Sequence, residues 1–487
     1  MINKDEVKDL NVGSRVAEQE VEGLKNYFLK TDLWEQILDN EVDVIFGCKG
    51  SGKSAIYNYM PNYELDLIDK NIHLLLAENP RGAIAFKDLN VTPPTNEFEF
   101  KSIWKLYFVI LISQKLSEEN YSHPDFDIVL EKLQDSDLIQ RRSSFTSIVK
   151  MVRDYIRRIN PTFEPNIGLD QYTGNVNKVG VKISLLEPST KESDKGIVSI
   201  DNLFELLNNT LVNKKSKIWL AIDRLDAIFQ ENFELEANAL RTLFQVYIEL
   251  QQYESIRLMI FLRDDIWNKI IENGFRETSH ITKTATISWD KNSLFNLIMS
   301  RFEQNEYLLE NLKPDLSKEE RFIELFKIIF PKKIAEGAEF NFEWFITKIK
   351  DGQNNSSPRE LIQLISSAIK YEIKLLSEEK SNGDSIICME SLFEGLKDAS
   401  KTKLETIIAE YPKLKIFIYR TKGKKPRLKL EELKELWNIS KKETLIIINN
   451  LIKIGFFKDE SKNQSNIEVL IPIIFRPALG MQYGYDK

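Results

Sequence analysis

The chain has 487 residues, more than one ordinary core accommodates, so two to four domains are expected. Hydrophobic residues make up 42% and charged residues 29%, which is normal for a soluble globular protein. The formal net charge of -7 argues against a chain-wide nucleic-acid coat and leaves room for a local basic face.

Residues 16–39 read as helical, with a break near Lys30-Thr31. Val42-Asp43-Val44-Ile45-Phe46 is a short apolar run of the kind that forms a buried strand. A glycine-rich segment follows at once, and Ser54 to Met60 continues as a helix that Pro61 ends. Residues 71–77 suit another strand. From about 80 to 215 the pattern is irregular, with helical stretches near 97–116, 126–134 and 138–158 and loops or a hairpin over 161–197, and it reads as an insertion. The core resumes with a strand at Lys217 to Asp223, a helix at about 232–252, and strands at Ile256 to Leu262 and Thr284 to Trp289. Strands alternating with helices imply an α/β fold with a parallel, doubly covered sheet. Residues 291–377 are mostly helical. The expected division is an α/β core over 1–290, a helical lid over 291–400 and a small basic domain over 401–487.

Two cysteines, Cys48 and Cys388, are too few for a disulfide framework or a Cys-based zinc site. Three scattered histidines make no metal site. The N-terminus lacks the apolar stretch of a signal peptide. The strongest apolar run, Leu106 to Ile112, falls short of the roughly 20 residues that span a bilayer. A cytoplasmic protein without a membrane partner is expected.

Gly47-Cys48-Lys49-Gly50-Ser51-Gly52-Lys53-Ser54 fits G-x-x-x-x-G-K-[ST] in full, with a strand before it and a helix after it. Glycines let backbone N–H groups curl around phosphates without a Cβ in the way. Lys53 is expected to reach the β- and γ-phosphates, and Ser54 to ligate magnesium; Ala55 closes the cradle. A carboxylate for magnesium is expected at the end of a neighbouring strand, and Ile218-Trp219-Leu220-Ala221-Ile222-Asp223 supplies Asp223. Many ATPases place Glu directly after this Asp to activate water. Here Arg224 stands there, and Asp226 is the nearest alternative base, or else a cap of the following turn. Arg263 ends the strand Leu258 to Leu262, placed either to sense a γ-phosphate or to pair with Asp264 or Asp265. Arg359, in Ser357-Pro358-Arg359-Glu360-Leu361, opens a helix, with Pro in its first turn. It is either a lid arginine folding back over nucleotide or an ordinary solvated one. The guanine-specific Asn-Lys-x-Asp motif is absent from a suitable place, so ATP is favoured over GTP.

Gly50-Ser51-Gly52-Lys53-Ser54-Ala55, Ile222-Asp223-Arg224-Leu225-Asp226 and Phe261-Leu262-Arg263-Asp264-Asp265-Ile266 resemble uncharacterised bacterial P-loop ATPases near the boundary of the STAND, KAP and AAA+ groups. The likeness covers roughly residues 10–370. Asn11 to Glu18 looks like their N-terminal nucleotide-base region. Arg263 is similar to the STAND sensor 1 arginine, and Arg359 to the AAA+ sensor 2 arginine. The resemblance implies an ASCE-type sheet of order 5-1-4-3-2, a helical lid, and a Mg-dependent ATPase switch. Such a switch couples ATP or ADP to assembly of a homo-oligomer or to release of an effector protein. Relatives of this broad kind often serve in bacterial defence against phage.

The tail opens with an amphipathic helix ending near Tyr411 and the basic run Arg420 to Lys429. Leu430 to Trp437 suits a helix, Ser440 caps a second at 441–454, and apolar stretches at Phe456-Phe457 and Ile467 to Ile474 flank a polar loop. Helix, turn, helix and hairpin suggest a winged-helix-like domain. Residues 412–463 hold 14 Lys and Arg against 6 acids. This excess suits phosphate contacts on DNA through 420–453, or else it is a solvated face of a protein-contact domain. Two rivals to the switch remain: a DNA-associated ATPase and a non-hydrolysing nucleotide-binding scaffold. No nuclease, TIR or protease motif is recognisable.

Overall fold

A computed structural model describes residues 7–16, 19–77, 97–138, 151–152, 154–156, 183–185, 188–194, 196–223, 233–272, 274–310, 312–335, 338–380, 385–461 and 467–481. The chain divides into two compact units. One comprises Asp32–Gly47 and Tyr59–Thr286, the other Met1–Thr31, Cys48–Asn58 and Ile287–Lys487.

The first unit is built on five parallel strands: β1 (Val44–Gly47), β2 (Ile72–Leu76), β3 (Lys217–Ile222), β4 (Ile256–Arg263) and β5 (Thr284–Thr286). They lie in the order β5-β1-β4-β3-β2, so β4 stands between β1 and β3. This is the expected 5-1-4-3-2 order. The strands form because their apolar runs are buried on both faces, which a parallel sheet requires: β1 is buried throughout and β4 in all but Arg263. Their covering helices include α2 (Glu97–Glu118), α3 (Pro124–Asp135), α4 (Ile200–Asn213) and α5 (Phe233–Leu250). Segments 97–135 and 200–213, irregular in sequence, thus contribute to the core of the sheet. Trp104 of α2 donates its indole N–H to the Ala239 carbonyl of α5 at 2.9 Å, and Phe100, Trp104, Leu203 and Phe204 are buried with the strands.

The start of β1 is fixed by a buried ion pair. Arg257 of β4 donates to Asp43 Oδ1 at 2.7 Å and to the carbonyls of Ile37 and Val42 at 2.8 and 2.6 Å. Its guanidinium lies 4.3 Å over the Trp219 ring. The pair is hydrogen-bonded on several sides, the condition under which a buried charge is tolerated.

The second unit is largely helical. α6 (Lys291–Phe302), α7 (Lys318–Ile329), α8 (Pro358–Ser377) and α9 (Met389–Glu410) share a core with the N-terminal residues Val7, Leu10 and Val12. A short hairpin, Lys333–Ala335 with Ala338–Glu339, interrupts a stretch expected to be mostly helical. The tail continues with α10 (Lys415–Arg420), β6 (Arg427–Lys429), α11 (Leu430–Trp437), α12 (Lys441–Lys453), β7 (Lys458–Asp459) and β8 (Glu468–Leu470). The three strands pair antiparallel in the order β6-β8-β7. The tail thus runs helix, strand, helix, turn, helix and two further strands in chain order. Ser440 caps α12 through a reciprocal capping box with Glu443. β6 falls inside the run expected to be only basic: Leu428 is buried between exposed Arg427 and Lys429, an alternation too short to stand out in sequence. Among the described residues no helix is long and apolar enough to cross a membrane.

Candidate functional site: the P-loop and its surroundings

β1 ends at Gly47 and α-helical structure resumes at Lys53 (Lys53–Tyr59), so residues 48–52 make the turn. Gly50 and Gly52 have φ of +85° and +104°, a region that L-residues rarely adopt. The Ser51 N–H returns to the Cys48 carbonyl at 3.2 Å, and the Ala55 N–H to the Gly52 carbonyl at 3.0 Å. Lys53 Nζ folds back across the turn to the same Cys48 carbonyl at 3.0 Å. Among the described residues the N–H groups of Lys49, Gly50 and Gly52 donate to no protein acceptor. The Ser51 hydroxyl is buried without a hydrogen-bond partner. A buried donor left without a partner is costly, and backbone N–H groups without protein acceptors beside a lysine suit the oxygens of a phosphate chain.

The turn is gripped by residues from far along the chain. Ser357 Oγ donates to the Gly50 carbonyl at 3.2 Å. Lys49 forms an ion pair with Glu410 at the end of α9. Trp289 donates its indole N–H to the Ser51 carbonyl at 2.6 Å. Arg359, the second residue of α8, stands directly over Gly50: a Cβ added there would lie 2.9 Å from Arg359 Cβ and from Ser357 Oγ. Arg359 Nε is buried and lacks a hydrogen-bond partner. Of the sequence-derived candidates, Arg359 is thus brought to the turn. Trp289, Ser357 and Glu410 were not anticipated there, and nothing local in their sequence marks them, because the contacts arise only on folding.

Gly50→Ala should therefore cost about 1–2 kcal/mol for the left-handed backbone alone, and it should also push the start of α8 away from the turn. Thermal melting and nucleotide affinity check this together. A wild-type result in both would mean that the close approach is dispensable.

The Cys48 thiol is held in its protonated form. Burial pushes it up to about 11, with Lys403 pulling the other way and Glu360 adding to the rise.

In the sheet unit, the carboxyl ends of the strands carry the remaining candidates. Arg263 is the register partner of Gly47. Its guanidinium is held by Asp265, through Nε to Oδ1 and a terminal nitrogen to Oδ2, both at 2.9 Å. Asp223 lies one residue beyond β3 and is 5% exposed. Asp226 lies outside the described residues. The N-terminal segment Asn11 to Val16 is tied to α6: Arg301 donates to the Val12 carbonyl and to both oxygens of Glu20, and Glu20 accepts from the Ser14 N–H at 2.6 Å. Residues 17 and 18 of that segment lie outside the described residues. Among the described residues no group of three His, Cys, Asp or Glu is placed to hold a metal ion.

The strand order, the single strand between β1 and β3, and the glycine turn leading from β1 into a helix define an α/β P-loop NTPase fold. No protein-family model matches the chain, and no curated protein matches it. Among solved structures it is similar to the Aeropyrum pernix ORC1 protein in complex with DNA, at 10% identity and a TM-score of 0.36, covering 98% of this chain and 96% of that one. It is also similar to the Aeropyrum pernix ORC2 protein in ADPNP-ADP complexes, at 11% identity and a TM-score of 0.39, covering 95% and 93%. The ADP form of that protein gives 10% and 0.34, covering 98% of each chain. Likeness at this level does not reach the ligand or the reaction of this chain.

Proposed function

We propose that the chain is a Mg-dependent ATP-binding and hydrolysing switch of STAND or AAA+ type, which couples nucleotide state to assembly or to release of a partner. The observation that carries this is the turn 47–54, in which the Lys49, Gly50 and Gly52 N–H groups donate to no protein acceptor among the described residues, the Ser51 hydroxyl is buried and Lys53 folds back to the Cys48 carbonyl. Lys53 is assigned to the β- and γ-phosphates, and Ser54 and Asp223 to magnesium. Arg359 is assigned to the phosphates from above Gly50, its unpaired Nε being the free valence such a role needs. Arg263 is assigned to γ-phosphate sensing, with Asp265 setting its orientation. Asp226 is assigned to the attacking water. Magnesium, when bound, would neutralise charge that develops on the phosphate oxygens. The domain division at about 290 and 400, a cytoplasmic setting, a homo-oligomer or separate effector as partner, and a role in antiphage defence belong to this proposal. Phosphate release by the full chain, measured with and without duplex DNA, tests it. Nucleotide binding without any release would favour the non-hydrolysing scaffold instead.

A second reading, DNA binding through 420–453, is favoured by one observation. Lys422, Lys424, Lys429 and Lys442 are exposed, with no carboxylate within ion-pairing distance among the described residues. Lys425 and Arg427 are poorer candidates, because they pair with Glu432 at 2.6 Å and Glu460 at 2.9 Å. Replacing Lys422, Lys424 and Lys442 by Ala should flatten the log–log salt dependence of DNA affinity by about one unit per lost phosphate contact. No binding by the wild type at low salt would end this reading.

A further inference from the structure

Lys403 of α9 and Glu360 of α8 form an ion pair at 3.0 Å whose side chains are 16% and 8% exposed. Burial alone would lower the lysine's pKa, but Glu360 and Asp351 reverse this and hold it raised. Glu360 is held low: burial opposes this, and Lys403 overrides it. Asp351, the third member, is held raised by burial, with Lys403 opposing. A charge trio in a low-dielectric interior has few alternative arrangements, since moving one member leaves another uncompensated.

Each end of this trio reaches a different part of the same unit. On one side Glu360 follows Arg359, which stands over Gly50, and α9 continues from Lys403 to Glu410, the partner of Lys49. On the other side Asp351 begins a turn that hooks the end of α12. The Gly352 N–H donates to the Gly455 carbonyl at 2.7 Å, and Gln353 Nε2 donates to the Ile452 carbonyl at 2.5 Å. The approach is close enough that a Cβ on Gly352 would lie 2.1 Å from the Phe457 carbonyl oxygen. Gly455, with φ +76°, would in turn meet the Asp351 carboxyl at 3.0 Å if it carried a Cβ.

We propose that Lys403 is a positioning residue for the P-loop, and that through Glu360 and Asp351 it couples the loop to the end of α12. The proposal rests on nucleotide occupying the P-loop. Phosphates that fix residues 48–52 then fix the start of α8, the trio and the hook on 452–457 together. By reciprocity, loosening the hook weakens nucleotide binding by the same factor.

Hydrogen exchange on the full chain, with and without saturating Mg-ADP, tests it. Amides at 48–54, 351–355 and 452–457 should all slow several-fold with nucleotide. Gln353→Ala, which removes one hook bond without touching the trio, should lower Mg-ADP affinity by roughly fivefold or more and abolish protection at 452–457. Lys403→Met should do both as well, provided it folds; Gln353→Ala carries the test if it does not. Protection at 48–54 with none at 452–457, or wild-type affinity in Gln353→Ala, would overturn the coupling alone. Absence of protection at 48–54 would sink the nucleotide reading, and the coupling with it.

Discussion

Mg-ATP at about 100 times its dissociation constant should stabilise the full chain by roughly 2.7 kcal/mol, and Lys53→Ala should remove most of that gain. The size follows from mass action: a ligand that binds only the folded state shifts the folding equilibrium by its occupancy. Lys53 matters twice. Its ammonium is the one cation in the turn itself that folds back over the loop, where it donates to the Cys48 carbonyl. Deleting it removes the charge proposed to face the phosphates and a strut of the turn. Calorimetric melting of both proteins, each with and without nucleotide, separates the two effects. A lower melting temperature without nucleotide reports the strut, and the lost increment reports the phosphates. If Lys53→Ala keeps the full increment, the nucleotide sits elsewhere.

Asp226→Asn should keep ATP binding and lower turnover by about 10² or more, while Asp223→Ala should also weaken magnesium-dependent binding. Phosphoryl transfer depends on positioning and charge stabilisation, and a carboxylate commonly orients the water. Asp223 is assigned to the metal. Arg224 cannot accept a proton. Asp226 comes three residues after Asp223, a spacing that returns its carboxylate to the same side wherever the chain turns helically. Steady-state phosphate release and equilibrium nucleotide binding decide the matter. Normal turnover in Asp226→Asn would make it a turn cap, and the base would then be sought at Asp264, Asp265 or a neighbouring subunit.

What sequence revealed and what it hid divide along chain separation. The strands were legible because β1, β3 and β4 are short, mostly apolar runs buried on both faces, and the turn because its glycines occupy left-handed backbone. The start of α12 was legible because Ser440 and Glu443 are three residues apart. The sheet order came from resemblance, since pairing of β1 with β4 is not written in either strand. The grip on the P-loop was not legible: Lys49 and Glu410 are 361 residues apart, and Gly50 and Ser357 are 307 apart. The same holds for Arg257 and Asp43, separated by 214 residues, whose pairing is dictated by burial in the folded sheet. β6 escaped because three residues give too little period to count.

The bond from Trp289 to the P-loop gives the chain a built-in optical handle. Five of its seven tryptophans, Trp34, Trp104, Trp219, Trp344 and Trp437, are buried in packed cores. Trp267 is half-buried and packs at a tilt against Phe46 and Phe244. Trp289 alone among the seven has its indole N–H on the Ser51 carbonyl, within the residues that phosphates would rearrange. Indole emission responds to the hydrogen bond its nitrogen makes and to the water around it. Loading the loop should therefore change the light the protein emits, so that the kinetics of nucleotide arrival and departure would become readable in the unlabelled protein.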